Sequence, residues 1–211
     1  MTEWTYAMGM AATVAFAVTA VLAVSPRGID VFGATVLGVI TAVGGGTVRD
    51  LILDVPIFWA ADQTYLWVAI VASLAAFRVG KLFTRAGVNR LLLHLDALGA
   101  ALFGIQAVNK VWSLGFALPL GPIMLGVVTA IGGGLIRDVL AGRKNLVMTR
   151  EIYAIPVLLG CTLFVAVLEW LPAYRVPGAI AGVALSFGLR AAAIRWNLTV
   201  PAWLATEARE E

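Results

Sequence analysis

The stretch that decides the fold is Leu37-Gly-Val-Ile-Thr-Ala-Val-Gly-Gly-Gly-Thr-Val-Arg-Asp50, and it reappears as Leu125-Gly-Val-Val-Thr-Ala-Ile-Gly-Gly-Gly-Leu-Ile-Arg-Asp138. Ten of the fourteen positions are identical, and three of the four differences exchange Ile and Val. Each copy lies in a long, otherwise apolar segment. The duplication predicts a chain built from two related halves.

The composition is that of a membrane protein. Of the 211 residues, 61% are hydrophobic and 13% are charged, whereas an ordinary soluble domain carries about 25% charged residues. This excludes a soluble globular enzyme, a disordered chain and a nucleic-acid module. The net charge of +3 is better explained by the Lys/Arg excess of cytoplasmic loops than by a nucleic-acid partner.

The scarcity of cysteine and histidine excludes further site types. Cys161 and His94 are the single residues of their kinds, so an intrachain disulfide and a Cys/His zinc site are impossible. We expect no catalytic residues and no cofactor.

Uncharged stretches bounded by charged turns predict an all-α polytopic membrane protein with seven transmembrane helices in a single membrane domain over 1–211. Their predicted cores lie near 5–24, 30–52, 63–80, 91–109, 117–140, 151–171 and 176–194.

The spacing of the two motifs defines a repeat unit of three helices. The first unit covers 5–85 and the second 91–171, while a seventh helix over 175–195 has no counterpart and 196–211 form a cytoplasmic tail. A unit with an odd number of spans enters the membrane upside down the second time, which predicts an inverted-topology repeat.

The distribution of basic residues predicts the orientation. Eleven fall on the loops after the first, third and fifth spans or in the C-terminal segment, and two, Lys110 and Arg175, fall on the opposite side. By the positive-inside rule, the N-terminus lies outside and the C-terminus lies in the cytoplasm.

The glycine triplets predict breaks in the second and fifth spans. Each glycine costs about 0.8–1 kcal/mol relative to alanine inside a helix, so Gly44–Gly46 and Gly132–Gly134 are expected to form kinks or unwound turns that line a polar path. Close packing of helices through small residues is the alternative. A broken helix offers both carbonyl-rich and amide-rich ends, which suit a dehydrated cation or a small zwitterion such as glycine.

Five ionisable residues are predicted to lie inside the membrane, where such residues are rare and mark functional paths. Arg49 is about 4.5 Å beyond Gly46 along the helix axis, which places it at depth. Because an unpaired charge at that depth is costly, we predict that Asp96 contacts the Arg137-Asp138 pair. The set is Arg49, Asp50, Asp96, Arg137 and Asp138.

The sequence resembles prokaryotic members of the trimeric intracellular cation channel family, some of whose bacterial relatives are labelled glycine-transporter-domain proteins. The resemblance rests on the motifs ending at Asp50 and Asp138, on Asp96-Ala97-Leu98-Gly99 and on Arg150-Glu151-Ile152-Tyr153. It implies a homotrimer in membrane lipid, with K⁺ as the permeant ion and one pore in each protomer. It implies pore-lining positions at Gly44, Gly45, Gly46, Gly132, Gly133 and Gly134, and functional weight for Arg49, Asp50, Arg137 and Asp138. We expect Thr41 and Thr129, on the same two motifs, to line the ion path as well.

One departure separates the two halves. The first repeat has Gly9 where the second has Asp96, so the halves are not electrically equivalent.

The leading hypothesis is a passive, potassium-permeable channel of the inner membrane of a bacterial or archaeal cell. A secondary transporter of glycine or another small solute is the alternative. A structural membrane protein without transport would leave the duplicated motif unexplained.

Overall fold

The computed structural model describes residues 3–80 and 85–201. This part of the chain is all-helical, as predicted, with eight α-helices and short 3₁₀ turns. The predicted tail over 196–211 lies largely outside the described residues. The helices are α1 (Glu3–Val24), α2 (Val31–Ile52), α3 (Phe58–Ala61), α4 (Thr64–Gly80), α5 (Arg85–Ser113), α6 (Leu120–Leu140), α7 (Ala154–Trp170) and α8 (Arg175–Trp196).

Each of the seven predicted spans overlaps a helix of at least 17 residues, and the four-residue helix α3 was not predicted. Five helices in the described part of the chain, α1, α2, α5, α6 and α8, are long and apolar enough to cross a membrane, while α4 and α7 are shorter apolar helices. Helix α5 begins at Arg85 rather than near residue 91. Apolar patterning marks the stretch that suits the bilayer core, and a helix can continue beyond it into polar sequence.

Helix α1 lies at the centre of the bundle, against α2, α4 and α5, and α6 packs against both α2 and α5. The rings of Phe16 on α1 and Phe103 on α5 stack with their centroids 5.7 Å apart. Most of the surrounding core residues are alanines, which allow helix axes to approach closely.

The outside of the bundle is apolar. Phe32 is 75% exposed, Leu120 68% and Trp170 76%. Large exposed apolar surfaces mark protein or membrane contact, and spread around a bundle of apolar helices they are the surface expected to face lipid.

The ends of the helices form two opposite faces of the bundle. The N-terminal face is where α1 and α6 begin and where α2 and α5 end. The opposite face is where α2 and α5 begin and where α1 and α6 end.

Candidate functional site

The glycine triplets do not interrupt their helices. Helix α2 is continuous through Gly44–Gly46, and α6 is continuous through Gly132–Gly134. The predicted unwound turns are therefore wrong. Three glycines weaken a helix by about 3 kcal/mol in total, but each backbone group left without a hydrogen bond in an apolar interior costs several kcal/mol. The helical conformation is consequently retained.

The triplets instead form the crossing of α2 and α6. A methyl group on Gly45 would overlap the carbonyl oxygen of Thr129, and one on Gly133 would overlap the carbonyl oxygen of Thr41. A methyl group on Gly132 would lie 3.2 Å from the Cα atom of Gly45. The glycines thus bring the two backbones into direct contact, which is the packing alternative that the sequence left open.

The contacts at this crossing are reciprocal. Gly45 and Gly133 occupy equivalent positions of the duplicated motif, and so do Thr41 and Thr129. The contact of Gly45 with Thr129 is therefore the same contact as that of Gly133 with Thr41. A two-fold axis passing between the helices produces such a pair.

A first charge cluster lies toward the N-terminal face, around the fully buried carboxylate of Asp50. Its Oδ1 atom accepts hydrogen bonds from Arg49 Nε at 2.8 Å and from Lys110 Nζ at 2.7 Å. Its Oδ2 atom accepts from the backbone N–H of Phe58 at 2.9 Å. The guanidinium of Arg49 lies over the Phe58 ring, 5.6 Å from its centroid. One carboxylate thereby joins α2, α3 and α5.

A second charge cluster lies toward the opposite face, around the fully buried guanidinium of Arg137. Its Nη1 atom donates to Asp96 Oδ1 at 2.7 Å and to Thr19 Oγ1 at 3.0 Å, while Nε donates to Asp138 Oδ1 at 2.9 Å. The predicted contact between Asp96 and Arg137 is confirmed. Arg137 also bonds its sequence neighbour Asp138, although adjacent residues on a helix do not face each other.

The two clusters have opposite charge balance. The first holds two cations and one carboxylate. The second holds one guanidinium and two carboxylates, with Arg143 at its edge, 3.9 Å from Asp138. Asp96 has no acidic counterpart on α1, where Gly9 stands. The two clusters differ in charge because Gly9 stands where the second half has Asp96, and because Lys110 adds a cation to the first cluster.

Several buried polar side-chain atoms have no hydrogen-bond partner among the described residues. The oxygen atoms are Thr41 Oγ1, Tyr65 Oη, Asp96 Oδ2 and Tyr153 Oη, and the nitrogen atoms are Arg137 Nη2 and Arg190 Nε. A methyl group on Gly134 would lie 2.9 Å from Tyr153 Oη and 3.0 Å from Asp96 Oδ1. The lack of a side chain at Gly134 is what lets these two groups approach α6.

The Arg150-Glu151-Ile152-Tyr153 segment connects this second cluster to α8. Arg190 donates from Nη2 to Glu151 Oε2 at 2.6 Å and from Nη1 to the Ile152 carbonyl oxygen at 3.0 Å. Its guanidinium lies 5.2 Å from the centre of the Tyr153 ring. The helix without a repeat counterpart is therefore attached to the start of α7, beside Tyr153.

A cavity of about 540 Å³ lies at the N-terminal face, next to the first charge cluster. Three of its lining residues are basic, and among the described residues none is acidic. We refer to it as the basic cavity. It is lined by Thr5, Arg49, Phe58, Gln106, Asn109, Lys110, Ser113, Leu114 and Arg175.

Sequence reasoning missed part of this site. The sequence predicts that Lys110 is a basic residue outside the membrane. In the structure its ammonium group is paired with Asp50 and its side chain is only 31% exposed. Phe58, Gln106 and Thr19 carried no signal, because their roles depend on helices distant in sequence. Lys110 could have been suspected from its place at the end of an apolar stretch.

The bundle and its paired charges define a multi-pass membrane protein that carries the same motif twice. A model of the family described as "Glycine transporter" matches residues 6–81 and again residues 93–169. The inner membrane protein YadS of Escherichia coli K12 is 37% identical over 203 residues, which cover 96% of this chain and 97% of YadS. A membrane protein of Vibrio cholerae is 34% identical over 208 residues, covering 98% of this chain and 85% of that protein.

Solved structures give the same assignment. The trimeric intracellular cation channel (TRIC) orthologue from Rhodobacter sphaeroides is 35% identical, with a TM-score of 0.87 over 93% of this chain and 100% of that one. A prokaryotic TRIC channel crystallised in 0.5 M KCl is 27% identical, with a TM-score of 0.87 over 93% of this chain and 98% of the other. The chain therefore belongs to the family that the glycine transporter model describes and is a prokaryotic TRIC-family member.

Proposed function

We propose that the protein is a passive, potassium-permeable cation channel whose pore runs through each protomer along the α2–α6 crossing. The observation that carries this proposal is that three buried oxygen atoms without hydrogen-bond partners, Thr41 Oγ1, Asp96 Oδ2 and Tyr153 Oη, lie on α2, on α5 and just before α7, the elements that pack against α6. Oxygen atoms replace the hydration shell of K⁺ in channels. The relationship to proteins that are themselves described as cation channels supports the same function.

The proposed path is lined by the glycine triplets together with Thr41 and Thr129, and it ends at a charge cluster on each side. At the crossing, the backbones of Gly45 and Gly133 contact the partner helix directly. In this conformation the path is therefore closed at the crossing.

The proposed arrangement has seven spans, in two inverted repeats over 5–85 and 91–171, with α8 added. The reciprocal contacts at the crossing support a two-fold relation between the halves, and the family model matches the chain in two segments of similar length. We further propose a homotrimer, supported by relatives that are described as trimeric channels.

A secondary transporter of glycine is the second candidate. The basic cavity favours it, since three cationic side chains offer partners for the carboxylate of a small zwitterion. The description of the matching family model points the same way.

Flux measurements distinguish the two functions. Purified protein in liposomes is expected to pass K⁺ down its gradient without saturation at millimolar concentrations. A passive pore does not have to change conformation for each ion that it passes, whereas a transporter does so for each solute molecule. Uptake of labelled glycine, measured in the same liposomes, is expected to equal that of protein-free liposomes. Saturable glycine uptake without K⁺ flux would instead support the transporter.

The proposed orientation, with the N-terminus outside, is tested by cysteine labelling, which the sequence makes clean because the native Cys161 is buried. Leu114 and Ile29 are exposed in turns at the N-terminal and the opposite face, with 51% and 41% of their surface accessible. In intact cells, a membrane-impermeant maleimide is expected to label Leu114→Cys, and to label Ile29→Cys only after lysis. This follows from the basic residues of the loops beside Ile29. The reversed labelling pattern would reverse the orientation.

A further inference from the structure

We propose that the basic cavity binds a small anionic group, a carboxylate or a phosphate. This goes beyond cation conduction and does not depend on it, because binding is measured without flux. The cavity could receive the group from a free solute or from the headgroup of an anionic phospholipid. The chemistry of recognition is shared by the two sources.

The basic cavity has an excess of positive charge among its described lining residues. Arg49, Lys110 and Arg175 line it. The carboxylate of Asp50 is 0% exposed and is already bonded to Arg49 and Lys110. Three cations thus line a cavity beside a single buried carboxylate, which pairs with two of them, and among the described lining residues no acidic group compensates the remaining charge.

The guanidinium of Arg175 is held in a fixed position at the cavity. From the start of α8, its Nε atom donates to Asn109 Oδ1 and its Nη2 atom donates to Ser113 Oγ, both at 2.7 Å. Asn109 and Ser113 are one helical turn apart on α5, so the guanidinium is fixed in orientation by two neutral partners. These hydrogen bonds hold the cation in place without cancelling its charge, which is how a pre-organised anion site is built.

The walls and the volume of the cavity are suited to such a ligand. Phe58 and Leu114 supply apolar surface beside the cations, and a low local dielectric strengthens attraction between opposite charges. A volume of about 540 Å³ falls within the range of small-molecule sites, about 300–1,000 Å³. The basic cavity is therefore large enough for a phosphate or carboxylate with its attached group.

The test measures binding to purified protein in a neutral detergent. Inorganic phosphate is titrated calorimetrically at constant ionic strength, and a short-chain phosphatidylglycerol is compared with the phosphatidylcholine of equal chain length by native mass spectrometry. The variants are Arg175→Gln, which removes the fixed guanidinium, and Arg175→Lys, which keeps the charge. Arg195→Gln is the matched control, since Arg195 is exposed near the other end of α8.

We expect the wild-type protein and Arg195→Gln to bind at least one of the two anionic probes alike. Arg175→Gln should bind it about tenfold more weakly, with partial recovery in Arg175→Lys. Binding of phosphate identifies a free anion as the ligand, and binding of phosphatidylglycerol alone identifies a lipid headgroup. The proposal is overturned if the wild-type protein binds neither probe, or if Arg175→Gln binds as tightly as the control.

Discussion

Replacing Gly133 by alanine is expected to destabilise the helix bundle strongly, and Gly45→Ala should have the same effect. The added methyl group would overlap a backbone carbonyl oxygen, of Thr41 in one case and of Thr129 in the other. A backbone atom cannot rotate away as a side chain can, so α2 and α6 must separate. We expect a loss of about 3 kcal/mol in the free energy of unfolding, which exceeds the gain of about 1 kcal/mol in helix propensity.

Gly188→Ala is the matched control for this result. Gly188 also lies inside a helix, and a methyl group placed there would meet no atom within 4 Å. The Gly188→Ala variant should unfold in detergent at a temperature equal to or above that of the wild-type protein. Its yield in size-exclusion chromatography should likewise equal or exceed the wild-type yield. If Gly45→Ala and Gly133→Ala assemble as well as Gly188→Ala does, then the close packing of the crossing is not required for the fold.

Arg137→Gln is expected to be the most destabilising change in the second charge cluster. It leaves the carboxylates of Asp96 and Asp138 buried without their shared guanidinium. Removing one partner of a buried ion pair costs about 3–5 kcal/mol. Asp96→Asn should cost less, because Arg137 and Asp138 then remain as a pair of opposite charges.

The double variant Asp96→Asn/Arg137→Gln provides the decisive comparison. Its loss of stability should be smaller than the sum of the two single losses by about 1–2 kcal/mol, as expected for residues in direct contact. Arg143→Gln, which removes a cation 3.9 Å from Asp138, is the control and should have a small effect. Additive losses in thermal unfolding would show that Asp96 and Arg137 do not stabilise each other.

The same charge pairs show how far a sequence can be interpreted without a structure. The pairing of Asp96 with Arg137 could be predicted, because a membrane interior leaves a buried charge few options other than a partner at equal depth. The helix positions could be predicted for a related reason. A bilayer demands long apolar stretches with internally satisfied backbones, and those stretches are visible in the sequence.

The behaviour of the glycine triplets could not be predicted in the same way. Helix propensity is a local property, and it favoured a break. The outcome depended on the cost of unbonded backbone groups in an apolar interior and on the approach of Gly45 and Gly133 to the backbone of the other helix, a contact between residues far apart in the chain. Backbone packing in an apolar interior outweighed propensity there.

The sequence by itself determined the duplicated motif, the positions of the helices and five of the residues that carry buried charge, because each follows from composition and periodicity along the chain. Apart from the pairing of Asp96 with Arg137, the tertiary structure alone decided which charges meet. It placed Lys110 on Asp50 and gathered Arg49, Lys110 and Arg175 around one cavity. The physical reason is that electrostatic pairing depends on distance in space, and the distances between α2, α5 and α8 are set by how their small residues let them pack.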